Sequence, residues 1–550
     1  MRHVAVLALL LLAGCPSKGG PAKVGAQPSW RGGVATQPAR PIGPVTFAPS
    51  SEPALRYNEP LQAPPPSPLG DAVTAAVAEA AGQAGIPVPI ADARLFRACA
   101  ELAAIVPEEG VIGYSLVEFA LHRNGIIEPS PHLLVVWGEI DSPQLIVDQL
   151  RPRLAEILAD GATARLGVGA VRRLPDGTGA VVFALQKSSV ATSPIPRELP
   201  AGGSARLDAV VDRAFRDPEV FVTHDDGRTE RVAHVTGHTG GFTAEVRCGA
   251  RRGRQQVEIT ASDTSGSTVL ANFPIWCATP APRSVTIEAS AEDAPATSTE
   301  DGERRLLALV NRDRMAQGLA ALAWDERVAQ VSRAHSVDMQ HTKNVAHISA
   351  TTGSAADRVR AAGIKTAVVL ENVARAYGVG EAHAGLMNSP GHRANIMSAS
   401  ATHLGVGVVF GSEVSGRREL FITQVFTRVT PPINAQRAAV EVFGKLAAVQ
   451  PVSNSAQLTS IAQQLADAVS RGQTREQAYP AVKRQVDALG AVYSRVGSVI
   501  TAVAELDAID GPALFGTGTI SDVGIGVAQG PHSEIGERAI WIVVLLAQKR

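Results

Sequence analysis

Residues 403–426 read HLGVGVVFGSEVSGRRELFITQVF. An apolar-Gly-apolar-Gly run leads into a polar turn that contains glycine. A second apolar run follows and reaches Gln424 near its end. Alternation around such a turn predicts a β-hairpin. The pattern occurs twice more. Residues 165–186 read RLGVGAVRRLPDGTGAVVFALQ, and residues 522–548 read DVGIGVAQGPHSEIGERAIWIVVLLAQ.

The segments upstream of each hairpin also correspond. DARLFRACAELAAI at 92–105, DERVAQVSRAHSVDM at 325–339 and SAQLTSIAQQLADAV at 455–469 place apolar residues at helical spacing. A second predicted helix in each copy ends at Gly125, Gly363 or Gly490, where glycine suits a left-handed C-cap. The period is long and irregular, so these are copies of a domain and not a solenoid.

The remaining sequence falls between and before the copies. Residues 204–292 carry short apolar runs broken by Asp-Gly, Gly-Gly and Ser-Gly turns, which predicts a small β-sandwich of immunoglobulin-like type. Cys248 and Cys277 lie in it, and an exported chain would pair them as a disulfide. Cys99 lies on an apolar helical face and reads as a buried, inert thiol. Residues 15–68 are rich in Pro, Gly, Ala and Ser without period, and are expected to form a disordered tether. Residues 1–14 have Arg2 followed by an apolar run too short to span a bilayer, as in a secretory signal. Their LAGC ending at Cys15 resembles a bacterial lipobox. That resemblance implies cleavage before Cys15, a lipid on its thiol and a membrane anchor. No Asp follows the cysteine, which points to the outer membrane.

Composition narrows the function classes. The 550 residues carry 51 Lys+Arg against 52 Asp+Glu, a net charge of −1, and aromatic residues make up only 4%. Neither a basic excess nor a stacking surface is present, so no nucleic-acid partner is expected.

The middle copy carries a more specific signal. LLALVNRDRMAQGLAALAWDERVAQVSRAHSVDM, Ala346-His347, Leu370-Glu371-Asn372, LMNSPGHRANIM and THLGVGVVF follow one another at family spacing. Residues 296–430 thereby resemble the CAP superfamily of cysteine-rich secretory, antigen-five and pathogenesis-related proteins (the SCP domain), in its bacterial branch. The resemblance implies an α/β/α sandwich with a cleft. It places the cleft histidines at His347 and His392 and the first acid at Glu371, with Asn372 beside them. The second acid of animal members falls at about Asn388. Leu386 stands for the family's Trp and Leu370 for its Gly.

Two imidazoles and one carboxylate can hold a borderline divalent ion such as Zn²⁺, weakly, and His347, His392 and Glu371 are the expected ligands. Asn388 cannot serve as a general base, and no Ser-His-Asp order or His-Glu-x-x-His helix is present. The residues therefore favour a binding cleft for a metal, lipid or small ligand over an enzyme. A metal-dependent envelope hydrolase and a structural or adhesive surface protein are the alternatives. His335, His383 and His403 read as structural. Arg393 and Asn395 read as ties between the Gly-His-Arg loop and the following helix.

Counting from Gly125, Gly363 and Gly490 sets Glu109 and Thr474 at the place of His347, and Leu133 and Ser498 at that of Glu371. Counting back from the hairpins sets Leu154 and Gly511 near that of His392. The flanking copies, 69–188 and 433–550, are thus expected to be divergent CAP-like α/β modules that keep the scaffold and lack the cluster.

Overall fold

The computed structural model describes residues 8–11, 45–60, 66–106, 112–158, 163–237, 241–287, 292, 294–414, 417–515 and 520–550. Cys15 and Glu109 lie outside the described residues, as does most of the expected tether. The chain divides into two compact units. One comprises Met1–Ala355, Leu370–Ala399 and Leu404–Val425, and the other Ala356–Val369, Ser400–His403 and Phe426–Arg550.

The first module runs α1 (Pro68–Ala84), β1 (Ile90–Ala91), α2 (Ala93–Ala103), α3 (Tyr114–Arg123), β2 (His132–Glu139), α4 (Pro143–Leu158), β3 (Thr163–Arg172) and β4 (Thr178–Lys187). Its sheet order is β1-β3-β4-β2, with β1 parallel to β3 and the other pairs antiparallel. Helices α1 and α4 share a core that includes Val77, Leu150 and Phe183, while α2 and α3 cover Val182 and Ala184 on the opposite face. This is a three-layer α/β/α arrangement.

The sandwich contains β5 (Ser204–Val211), β6 (Arg216–Thr223), β7 (Thr229–Val232), β8 (Gly241–Arg247), β9 (Gly253–Asp263) and β10 (Gly266–Cys277). Short strands at Val190–Thr192 and Glu198–Leu199 extend it before residue 204. β5 and β8 belong to a four-stranded sheet; β6, β7, β9 and β10 belong to a five-stranded one. Cys248, just past β8, is bonded to Cys277 on β10, so the disulfide ties the two sheets together.

The middle module runs α5 (Thr299–Ala316), β11 (Ala323–Trp324), α6 (Glu326–Thr342), α7 (Ala355–Ala361), β12 (Val369–Ala376), α8 (Val379–Asn388), α9 (Pro390–Ile396), β13 (His403–Val414) and β14 (Arg417–Thr427). Its order is β11-β13-β14-β12. A strand at Ala8–Leu11 runs parallel to β12 on its outer side. It falls within the run read as a signal peptide, and the four strands complete the module's order without it.

The third module runs α10 (Ala435–Ala447), β15 (Ser453–Asn454), α11 (Ala456–Ser470), α12 (Arg475–Ala488), β16 (Tyr493–Val503), α13 (Gly511–Leu514), β17 (Asp522–His532) and β18 (Gly536–Lys549), with order β15-β17-β18-β16. All three modules therefore share one strand order, and the middle module carries one further helix before its hairpin.

The paired glycines of each hairpin have one physical cause. A Cβ on Gly405 would lie 2.2 Å from the Ala329 backbone nitrogen, and one on Gly407 would lie 2.2 Å from that of Arg333. Gly167 and Gly169 meet α2 in the same way, as Gly524 and Gly526 meet α11. The second helix rests backbone to backbone on the hairpin, and only glycine leaves room. In the middle module Ser332 and Ser336 donate to the carbonyls of Gly405 and Gly407 at 2.9 and 3.0 Å, fixing the contact. The same helices start alike, with Asp92, Asp325 or Ser455 accepting a first-turn backbone N–H.

Two expectations are corrected. The tether does not extend to residue 68. Phe47 and Tyr57 are buried, the strand Val45–Phe47 pairs with Val285–Ile287, and the Tyr57 hydroxyl donates to Pro274 O at 2.6 Å. Aromatic side chains scattered among prolines carry no period, yet they fill gaps in preformed cores. The second correction concerns the helix ends. Gly125 and Gly363 have φ of 80° and 68°, whereas Gly490 sits in a 3₁₀ turn, Leu489–Ala491, and is not among the positive-φ glycines. Cys99 is buried as expected, and burial pushes its thiol well up.

Candidate functional site

His347 lies in the loop after α6, Glu371 on β12 and His392 on α9; all three are buried. His347 Nδ1 and Glu371 Oε1 are 2.9 Å apart. His335, on α6, meets the carbonyl of Ala346 at 2.8 Å and so holds the backbone just before His347. Asn372 ties the strand to α9 by donating to His392 O at 3.2 Å, and to β14 by donating to Gln424 Oε1 at 3.1 Å. Asn395 donates to Asn372 Oδ1 at 2.9 Å and to Glu371 O at 3.0 Å. The expected cluster is therefore one braced network. Burial, with the nearby His347 second, holds His392 well below the usual histidine range, so it is neutral.

Three residues differ from the sequence reading. Asn388 does not turn to the histidines. Its amide donates to Glu118 of α3 at 2.8 Å and its oxygen accepts from Arg254 of the sandwich. It is the last residue of α8, and a single step along a helix swings a side chain by about 100°. Arg393 donates from Nε to Gly227 O of the sandwich at 3.0 Å, so it ties the loop to another domain. Asn395 braces β12 and not the following helix. His383 is structural, meeting Asp313 at 2.8 Å, as is His403 beside Thr402.

The sandwich covers this cluster. The backbone N–H groups of His347 and Ile348 donate to Ser265 O, in the β9–β10 turn, at 3.1 and 3.0 Å. From β9, Glu258 accepts the Ser389 hydroxyl and, at 3.0 Å, the Gly391 N–H. Ser389 Oγ in turn lies 2.8 Å from His392 Nδ1. A continuous chain thus runs from Glu258 through Ser389 to His392. Glu258 is fully buried and has no cationic partner among the described residues, and desolvation pushes it up to about 8 despite the two hydrogen bonds.

The sequence reading missed Glu258. Gln256, Glu258 and Thr260 alternate along β9, which reads as a solvated face. All three are buried, because the middle module lies over that face. Glu118 was missed for the same reason. It sits on a helix, and burial pushes it up to about 7 where it meets Tyr114 and Asn388.

Among the described residues no group of three His, Cys, Asp or Glu side chains is arranged to hold a metal ion. One nitrogen of His347 is engaged by Glu371 and one of His392 by Ser389. The expected set of His347, His392 and Glu371 is thus a hydrogen-bonded cluster in this conformation.

Residues 307–426 match the model of the cysteine-rich secretory protein family, CAP. The middle module is a CAP domain. Two curated relatives from Bacillus subtilis align with it. The uncharacterized membrane protein YlbC is 39% identical over 107 residues, 19% of this chain and 31% of that protein. The uncharacterized protein YkwD is 38% identical over 108 residues, 20% of this chain and 42% of that protein. The chain thus spans less than half the length of either. Among solved structures, an extracellular SCP-domain protein from Bacillus anthracis matches at 16% identity and TM-score 0.21, covering 50% of this chain and 92% of that one. An outer surface protein of Borrelia burgdorferi matches at 13% identity and TM-score 0.21, covering 24% and 96%. The CAP domain of this chain thus carries its cluster beneath a second domain that contributes an acid of its own.

Proposed function

We propose that this chain is an exported, lipid-anchored binding protein whose CAP cleft, built on His347, Glu371 and His392, is held shut by the β-sandwich. Cys15 would carry the lipid at the outer membrane, and the flanking modules and sandwich would present partner surfaces. The observation that carries the reading is the Glu258–Ser389–His392 chain. A polar cluster braced this fully, yet covered by a domain that meets it through a buried carboxyl group without a cation, suits a cleft that opens. Its ligand is a lipid or small molecule, with a weakly held divalent ion as the other candidate once the cover lifts.

The contact between His347 and Glu371 counts against a purely adhesive role, which would leave these side chains dispersed. Hydrolysis is the less favoured activity, since Asn388, at the place of the family's second acid, donates to Glu118 and cannot titrate as a base.

The test is carbethoxylation of the full chain, read at His347 and His392 by mass spectrometry. Both are expected to be protected in the wild type and to react at least tenfold faster in Glu258→Arg, with circular dichroism unchanged. Equal rates in the two proteins would overturn the closed-cleft reading. Titration of Glu258→Arg with Zn²⁺, against the same protein carrying His347→Ala and His392→Ala, then reads the metal branch. Equal heats in the two proteins would remove it.

A further inference from the structure

The third module has a cavity of about 490 Å³ between the start of α12, the strand β16 and Trp541 of β18. Its walls include Gln473, Thr474, Arg475, Ser498, Ile500 and Trp541. Its place in the fold has a counterpart elsewhere in the chain. Ser498 lies opposite Leu545, which lies opposite Gly524 of the hairpin motif. In the first module Leu133 lies opposite Ala184, which lies opposite Gly167. The ladders thus equate Ser498 with Leu133, as the count from the helix-end glycines does, and that count equates both with Glu371. The cavity therefore occupies the register where the CAP domain keeps its cluster, with different chemistry on its walls.

That chemistry selects a charge and a shape. Arg475 is the charged group on the walls, and no ion pair engages it among the described residues. Thr474 is spent on a capping box with Gln477, so it does not compete for a ligand. The Trp541 indole N–H is buried with no acceptor among the described residues, and a buried donor left unpaired is costly. Ser498 adds a hydroxyl. These groups supply donors and one positive charge, which a monoanion matches; a guanidinium takes a carboxylate through two parallel hydrogen bonds. Ile500, Val469 and the indole ring supply an apolar wall, and the volume is that of a small-ligand site.

We propose that this cavity binds a small monocarboxylate with a flat apolar body. The site is independent of the His347 cleft, so the two readings stand or fall separately.

The test uses the full chain, with benzoate as probe and benzamide as its uncharged match, followed by calorimetry and tryptophan fluorescence. Benzoate is expected to saturate at about 1–10 mM, as befits a fragment of its size, with benzamide at least tenfold weaker. Arg475→Gln, at an exposed position, is expected to weaken benzoate at least tenfold and leave benzamide unchanged. Trp541→Phe should remove the fluorescence response. Equal affinity for the two probes, an unaffected Arg475→Gln, or no saturable benzoate binding would each overturn the proposal.

Discussion

Glu258 shows how one buried residue makes stability depend on pH. Its carboxyl titrates near 8 in the folded chain against an ordinary 4.5, so the folded form holds the extra proton between those values. Its contribution is present below about 4.5 and is lost as pH rises through about 8, at roughly 1.4 kcal/mol per pH unit within that window. Thermal melts across that range should show Glu258→Gln gaining on the wild type as pH rises, since it lacks this loss; parallel curves would show that the carboxyl does not titrate this way. Asn372 is a second such residue. Asn372→Ala would leave Gln424 Oε1 and His392 O without their donor, at a cost of about 2–3 kcal/mol, read by denaturant titration. His347, Glu371, His392 and Asn372 were legible because the resemblance to the CAP superfamily carries its cleft onto those positions. Glu258 was not, since an acid at every second position of a strand reads the same whether water or a domain covers it.

Elements are fixed by close approach as much as by pattern. The hairpin glycines marked the repeat in the sequence, but their reason emerges only where α2, α6 and α11 lie on them. Gly407→Ala would press a methyl group against the Arg333 backbone, and is expected to cost about 3 kcal/mol or more, or to prevent folding. Gly444 is the contrast. It lies inside α10 with nothing near its missing Cβ, so Gly444→Ala should stabilise by about 0.5–1 kcal/mol. Chemical denaturation of the two variants compares them directly, and similar losses would sink the packing account. Gly490 illustrates the limit of pattern reading. It follows a helix as Gly125 and Gly363 do, yet the chain there tightens into a 3₁₀ turn and needs no left-handed residue.

At the scale of the whole molecule, the disulfide joins two sheets of the sandwich that covers the CAP cluster. Removing it with Cys248→Ser/Cys277→Ser is expected to cost about 2–4 kcal/mol, and carbethoxylation of His347 and His392 should quicken if that loss loosens the cover. Unchanged labelling in a destabilised protein would separate the cover from the sandwich's own stability. By itself the sequence determined three copies of one module and the sandwich between two of them, and its resemblance to the CAP superfamily pointed to the polar cluster in the middle copy. Periodicity, glycine spacing and motif order are properties of neighbouring residues along a chain, and each is complete in the string. The tertiary structure alone decided that the cluster is covered, that Glu258 and Arg393 link the sandwich to the CAP domain, that Asn388 faces Glu118, and that Tyr57 is core and not tether. Those outcomes depend on which surfaces meet, and surfaces meet between residues more than a hundred positions apart, where no local pattern records the partner.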